Sequence, residues 1–288
     1  MILVMEHAAK AGNVAALRWW GRTDVGKVRK NNEDAFLGVC FDAHEVRHLG
    51  KIGEAPTSTQ DFAFAVSDGM GGAKAGEYAS SITVEKITRL LPRSFKNSAL
   101  GIDAGFEDIF EELYEQIHKS LVFVGGSYEE TQGMEATLTL AWFSPAWLFY
   151  AHVGDTRLYY LPKGSSQIKQ LSQDDTYVGW MFRNGQLKEW EARTHPRRNV
   201  LQKALGGSNQ FVNPQVGAVG YEAGDTFLIC SDGLTEGLYG DHIVEFIREE
   251  QARGGNPAHR LVDESIARDG KDNVTALVIE ALSGPTIP

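Results

Sequence analysis

Along this chain, apolar runs of strand character repeatedly end on a small residue followed by an aspartate. Phe62-Ala63-Phe64-Ala65-Val66 leads into Ser67-Asp68, Trp147 to Val153 into Gly154-Asp155, and Phe227-Leu228-Ile229-Cys230 into Ser231-Asp232. Short apolar runs bounded by Gly, Ser and Asp mark buried strands that end in turns. Two further acidic positions flank strand-like runs: Glu33-Asp34 opens Ala35 to Val39, and Asp272-Asn273 precedes Val274 to Ile279. Each aspartate alone reads as an ordinary strand-end turn residue. As a set they constrain the fold much more, because strand ends that converge bring all these carboxylates to one place.

Converged carboxylates raise one another's pKa values and repel unless cations sit among them. A donor set that is all oxygen, without cysteine or a convincing histidine, selects hard ions such as Mg²⁺ or Mn²⁺. Two such ions a few ångströms apart suit in-line attack of water on phosphorus. Arg29, just ahead of Glu33-Asp34, is placed to grip a phosphate by a bidentate contact. The turn Gly69-Met70-Gly71-Gly72 after Asp68 lets backbone approach a ligand with no Cβ in the way.

Composition narrows the remaining classes. A chain of 288 residues with 42% hydrophobic and 23% charged content can bury a substantial core. Its formal charge of −10 disfavours nucleic acid as a partner. The two cysteines, Cys40 and Cys230, lie in apolar runs without a Cys-x-x-Cys pattern and read as buried thiols, which suits a cytoplasmic protein. Met1 to Glu6 has too short an apolar core for a signal peptide, and Leu138 to Val153, broken by Ser144-Pro145, reads as a hairpin, so no membrane span is expected.

The periodicities predict a short helix within 1–17, a loop over 42–60, and a helix from Ala75 to Leu91 stopped by Pro92. A second helix carries Phe106, Ile109, Phe110, Leu113, Ile117 and Leu121 inward and ends near Gly125-Gly126. Later helices start near Asp241 and Pro257. The spacing of His44 and His48 is helical, but its Gly, Pro and Thr surroundings argue against a site there. Residues 172–199 form a polar helix-loop-helix excursion carrying Arg193, His195, Arg197 and Arg198, which either meets substrate or is simply solvated. Interspersed helices and hairpin-like strand pairs favour an α+β domain with mainly antiparallel sheets.

The motifs Arg29-x-x-Asn32-Glu33-Asp34, Asp68-Gly69-x-Gly71-Gly72, Val153-Gly154-Asp155-Thr156-Arg157, Ser231-Asp232-Gly233 and Asp272-Asn273 occur in this order. In order and spacing they resemble the metal-dependent Ser/Thr protein phosphatases of the 2C type (the PPM family), in their bacterial wording, over roughly residues 20–280. The resemblance implies a four-layer αββα sandwich with a metal centre between the sheet ends. It implies residues 1–17 as an N-terminal extension and 18–282 as one catalytic domain with a flap at 172–199. It implies one metal held by Asp68, Asp232 and Asp272, and a second by Glu33, Asp68 and the Gly69 carbonyl. Asp34 would orient water, Asp155 and Asp232 would serve a weaker third site, and Arg29 would bind the substrate phosphate. The implied activity is hydrolysis of phosphoserine and phosphothreonine in proteins by Mg²⁺ or Mn²⁺, without a covalent phosphoenzyme. The substrates would be those of a cognate Ser/Thr kinase, and the enzyme a cytoplasmic monomer. A silent phosphoprotein-binding module and a hydrolase of small phosphoesters are the alternatives; the first should have lost ligands, and every expected carboxylate is present.

The chain departs from the family pattern in places. Met70 stands where animal-type members carry a histidine proposed as general acid, and a thioether cannot donate a proton. Glu135-Ala136 replaces small Gly or Thr residues before Thr137, and Asp175 replaces a histidine common in this position. His118, His152 and His195 read as structural or exposed rather than catalytic.

Overall fold

The computed structural model describes residues 14–42, 45–71, 74–99 (backbone alone from 92), 105–145, 147–208 and 212–284. The chain begins with β1 (Val14–Asp24), β2 (Asp34–Phe41), β3 (Val46–His48), β4 (Ile52–Pro56) and β5 (Asp61–Met70), followed by α1 (Ala75–Ala99) and α2 (Phe106–Ser127). Strands β6 (Glu135–Ala136), β7 (Leu138–Ser144), β8 (Trp147–Val153), β9 (Arg157–Leu161) and β10 (Lys169–Gln170) come next. The short helices α3 (Tyr177–Arg183) and α4 (Glu189–Thr194) make up the polar excursion. The chain closes with β11 (Leu205–Gly206), β12 (Gln215–Gly220), β13 (Thr226–Cys230), α5 (Asp232–Gly237), α6 (Gly240–Arg253), α7 (Pro257–Arg268) and β14 (Val274–Ser283).

The strands form two antiparallel sheets. One runs β10-β9-β13-β14-β1-β4. In the other, β2 and β7 flank β5, β8 and β12 extend the β7 side, β3 pairs with β2, and β6 and β11 continue from the end of β5. Alternation along β5 shows how the layers assemble, since successive side chains of a strand point to opposite faces. Phe62, Phe64 and Val66, with Phe143 of the neighbouring β7, turn towards the opposing sheet and meet Leu17, Trp19, Phe227 and Ile279. Ala63 and Ala65 face Ile87, Phe110, Leu113 and Ile117 of α1 and α2. The small alanines let those helices lie close to the sheet. On the other outer face, Leu228, Cys230, Ala276 and Val278 pack under Leu234, Ile243, Ile247 and Leu261 of α5, α6 and α7. The result is the expected helix-sheet-sheet-helix sandwich.

Several local expectations change. The helix expected within 1–17 mostly lies outside the described residues, and Val14 to Leu17 belong to β1, paired with β14 and β4. The expected loop over 42–60 contains β3 and β4. Helix α1 continues through Pro92 to Ala99. A proline withdraws one N–H and crowds the carbonyl four residues back, but this helix is already anchored by Ala79, Ile87 and Leu91. Among the described residues no helix is long and apolar enough to cross a membrane. His44 lies outside the described residues, as does Gly72.

Candidate active site

The antiparallel pairing of β2 with β5 sets Asp34 directly opposite Asp68. Ser231-Asp232 follows β13, Asp155 follows β8, and Asp272 precedes β14, so both sheets deliver acids to the same end of the sandwich. A cleft of about 530 Å³ opens there, lined by Glu33, Asp68, Gly69, Asp155, Asp232 and Asp272, with Arg29, Lys30, Asn31, Met70, Gly71 and Asn199. Of the six strand-end acids singled out from sequence, all line this cleft except Asp34, which lies beneath it, 8% exposed.

Backbone geometry fixes these groups. The Asp68 N–H donates to Thr137 Oγ1 at 3.0 Å, and Thr137 N–H donates to the Asp68 carbonyl at 2.8 Å. Glu33 N–H donates to Asn273 Oδ1 at 2.8 Å, while the amide of Asn273 donates to the carbonyls of Val25 and Asn31. Gly69 must be glycine: a Cβ there would stand 1.9 Å from the Gly76 carbonyl oxygen. Gly76 in turn lies against the Gly69 carbonyl and the Glu33 carboxylate, so the start of α1 presses on the end of β5.

The electrostatics fit a cation site. Burial, then Asp34, Asp232 and Asp155, push Asp68 well above the ordinary carboxylate range. Burial, then Asp155 and Asp272, do the same to Asp232. Asp155 is pushed up to about 7 by burial and Asp174, against the opposing pull of Arg157. Oδ1 of Asp34 and Oδ1 of Asp232 are buried without a hydrogen-bond partner. Buried carboxylate oxygens without a donor are costly, and a divalent cation is the partner that an all-oxygen set accepts. Among the described residues no three acidic, histidine or cysteine side chains close around one point. Asp272 is turned onto Arg29 instead, with Nη2 2.6 Å from Oδ2, and Arg29 Nη1 lies 4.0 Å from Glu33 Oε2.

Asp34 has a different environment. Its Oδ2 accepts from the hydroxyls of Ser231 at 2.7 Å and Thr275 at 2.6 Å. Burial raises its pKa to about 6, and these two donors hold it from rising further. Sequence reasoning gave no role to Thr275, Thr137 or the Asn273 side chain, whose service is to hold other residues.

The basic excursion does not stand free in solvent. Arg193 donates to the carbonyls of Thr235 and Leu238 and lies 3.8 Å over the ring of Tyr239, and Arg198 donates to Glu236 at 2.8 Å. Arg197 lies 5.3 Å over the Tyr177 ring, and His195 accepts the Arg197 N–H. These contacts fasten α4 and the loop after it to α5, the helix that Asp232 begins. A larger cavity of about 940 Å³ lies between the excursion and α5–α6 and shares Asp155, Asp232 and Asn199 with the cleft. His118 and His152 are buried and bonded within the fold, His118 accepting the Gly206 N–H.

Residues 51–267 match the family model described as protein phosphatase 2C. The chain is 29% identical over 260 residues to the serine/threonine phosphatase stp of Listeria monocytogenes, covering 90% of this chain and 94% of that one. Its fold is similar to the crystal structure of the Mycobacterium tuberculosis serine/threonine phosphatase PstP/Ppp, with a TM-score of 0.73, 28% identity, and coverage of 93% of this chain and 100% of that one. A structure of the catalytic domain of PstP in complex with two manganese ions matches with a TM-score of 0.71 at 27% identity, covering 93% and 99%.

Proposed function

Because the chain belongs to the protein phosphatase 2C family, we propose that it hydrolyses phosphoserine and phosphothreonine in proteins, the products of a Ser/Thr kinase, using Mg²⁺ or Mn²⁺. The observation that carries this reading is the convergence of five carboxylates on one cleft at the sheet ends, with the buried Oδ1 of Asp232 lacking any donor. Asp68, Asp232 and Asp272 would hold one ion. Glu33, Asp68 and the Gly69 carbonyl would hold a second, and Asp155 with Asp232 a weaker third. The ions would supply Lewis-acid charge to the phosphoryl group and lower the pKa of water.

The chain's own residues do the rest. Arg29, 48% exposed at the side chain, offers its guanidinium to the phosphoryl oxygens in competition with Asp272. Asp34 keeps one carboxylate oxygen engaged by Ser231 and Thr275 and leaves Oδ1 to orient the attacking water and take its proton. No Ser, Thr, Cys or His is among the described residues lining the cleft, and its aspartates would be engaged by the ions. That composition supports direct attack by water over a covalent phosphoenzyme. Met70 lines the cleft where a histidine acid would stand, so the leaving oxygen is protonated from water.

The test is hydrolysis of a phosphothreonine peptide and of an aryl phosphate with Mn²⁺, Mg²⁺ or EDTA, for the wild type and Asp232→Asn. Both substrates should be turned over with metal, and neither in EDTA or by the variant. Activity that survives chelation sinks the metal reading, and turnover of the aryl phosphate alone sinks the protein substrate.

A further inference from the structure

Two of the places where the chain departs from the family pattern, Met70 and Glu135, are partners: the antiparallel pairing of β5 with β6 sets them directly opposite one another. Residues so placed carry their side chains on one face, with Cβ atoms about 4.5–5.5 Å apart. That face is the one that carries the chemistry. Phe62, Phe64 and Val66 point between the sheets, and the same alternation brings Asp68 and Met70 to that side. Along the partner chain Ala136, Leu138 and Leu140 pack towards the helices, which leaves Thr137 and Glu135 to the inner side. Thr137 fastens the backbone of Asp68, and Glu135 stands two positions further along, beside Met70.

Nothing in the described fold uses this carboxylate. Glu135 is half-buried, and its Oε1 lies where a Cβ of Gly207 would collide with it, so the glycine turn after β11 leaves room for the side chain. Among the described residues no donor and no cation engages it, and burial alone raises its pKa above the ordinary value. A carboxyl in such surroundings holds a proton more readily than an exposed one. Met70 and Gly71 line the cleft and Glu135 does not, so one side chain separates the acid from the cleft wall. A single water completes a path of that length.

We infer that Glu135 is the source of the proton that the leaving oxygen takes up, passed on by one water beside Met70. As the P–O bond breaks, the electron pair stays on the seryl or threonyl oxygen. That oxygen takes a proton from the water, and the water takes one from the Glu135 carboxyl, which is left as carboxylate and is reprotonated from solvent. The inference rests on the phosphatase reading above and deepens it. Glu135 acts through the water and touches neither the phosphoryl group nor the acids of the cleft. The work it does depends on the leaving group: a serine or threonine alkoxide needs the proton to depart, whereas nitrophenolate departs without one. Once the cleft's own acids are engaged, Lys30 is the other proton carrier on its wall, and it lies exposed in the loop of Arg29.

The experiment measures single-turnover rates, with enzyme in excess and Mn²⁺ saturating, on a phosphothreonine peptide and on p-nitrophenyl phosphate. The proteins are wild type, Glu135→Gln, Glu135→Asp and Lys30→Gln. Glu135→Gln should slow the peptide by about a hundredfold, the lower end of what a proton donor contributes, and leave nitrophenyl phosphate nearly as fast as in wild type. Glu135→Asp keeps the acid on a shorter arm and should recover much of the loss. In wild type, heavy water should slow the peptide more than nitrophenyl phosphate, and that arm stands even if Glu135→Gln does not fold. Equal losses on both substrates would make Glu135 a residue that only shapes the cleft and overturn the inference. So would an unchanged peptide rate, equal isotope effects, or a peptide-selective loss in Lys30→Gln and not in Glu135→Gln. In each of those cases the wild type still hydrolyses its substrates and the phosphatase reading stands; a wild type that turns over neither substrate overturns that reading itself.

Discussion

Arg29 Nη2 lies 2.6 Å from Oδ2 of Asp272, joining the loop before β2 to the turn before β14 across the mouth of the cleft. Asp272 heads the causes that raise the arginine's pKa, so the guanidinium stays charged throughout the working range. A phosphoryl dianion has to draw this cation towards itself. Arg29→Ala should therefore raise KM for a phosphothreonine peptide about ten- to hundredfold, the equivalent of a charge-assisted contact of about 1.5–3 kcal/mol, with kcat changed far less. Arg29→Lys should recover only part of the loss, because an ammonium lacks the planar fork. An unchanged KM with a collapsed kcat would reassign the residue from phosphate binding to the chemical step.

Asp232 brings a buried, undonated oxygen next to Asp155 and Asp272. Replacing it with asparagine removes repulsion from the cleft and removes a ligand at the same time. In EDTA the Asp232→Asn protein should melt higher than wild type by about 2–4 °C, as for a gain of about 1 kcal/mol in a domain of this size. With Mn²⁺ the order should reverse, and activity should be lost. A variant that melts lower than wild type under both conditions would mean that Asp232 is a structural acid.

The pH dependence of the chelated protein has a definite sign. Asp34 and Asp155 rise from an ordinary 3.8 to about 6 and about 7. Acids raised on folding contribute stability that is complete below their unfolded value and is lost as pH rises through the folded one, because the native state binds more protons in that window. His152, buried and held below its ordinary 6.5, acts in the opposite direction. The informative comparison is therefore with Asp155→Asn: in EDTA, wild type should lose more melting temperature between pH 5 and pH 8 than the variant does. Parallel slopes would show that Asp155 ionises as an ordinary exposed acid.

What was legible in the sequence was the part with a period or an unusual residue type. Strand alternation at Phe62 to Val66 and the helical stripe from Phe106 to Leu121 give the layers, because burial on one face repeats in the sequence. Acids after apolar runs give the cleft. The residues that hold those acids left no such mark. Thr137, Thr275 and Asn273 are ordinary strand or turn residues until pairing brings them to Asp68, Asp34 and Glu33. Arg193 and Arg198 look like a solvated or substrate-facing patch because their acceptors, two carbonyls and Glu236, lie about forty positions away. Long-range hydrogen bonding has no local period, and β3, β4 and α5 were missed for a related reason: they are too short to display one.

Thr275 offers the cleanest test of the role given to Asp34. Its hydroxyl donates to Asp34 Oδ2 at 2.6 Å and is the larger of two hydrogen bonds that hold the Asp34 pKa down against burial. If Asp34 must be ionised to orient water and accept its proton, removing the donor should make that ionisation harder. Thr275→Val keeps the shape of the β14 side chain and withdraws the hydroxyl. The lost bond to a charged acceptor is worth about 1.5–3 kcal/mol, so the acidic limb of kcat/KM should move up by about one pH unit or more, at 1.36 kcal/mol per unit. Thr275→Ser should return the limb towards wild type, because it restores the donor without the methyl group. The melting temperature of Thr275→Val should change little by comparison, since protonated Asp34 no longer needs the bond. If the acidic limb stays in place while activity falls at every pH, Asp34 is not the group whose ionisation the reaction requires, and the proton passes to solvent without it.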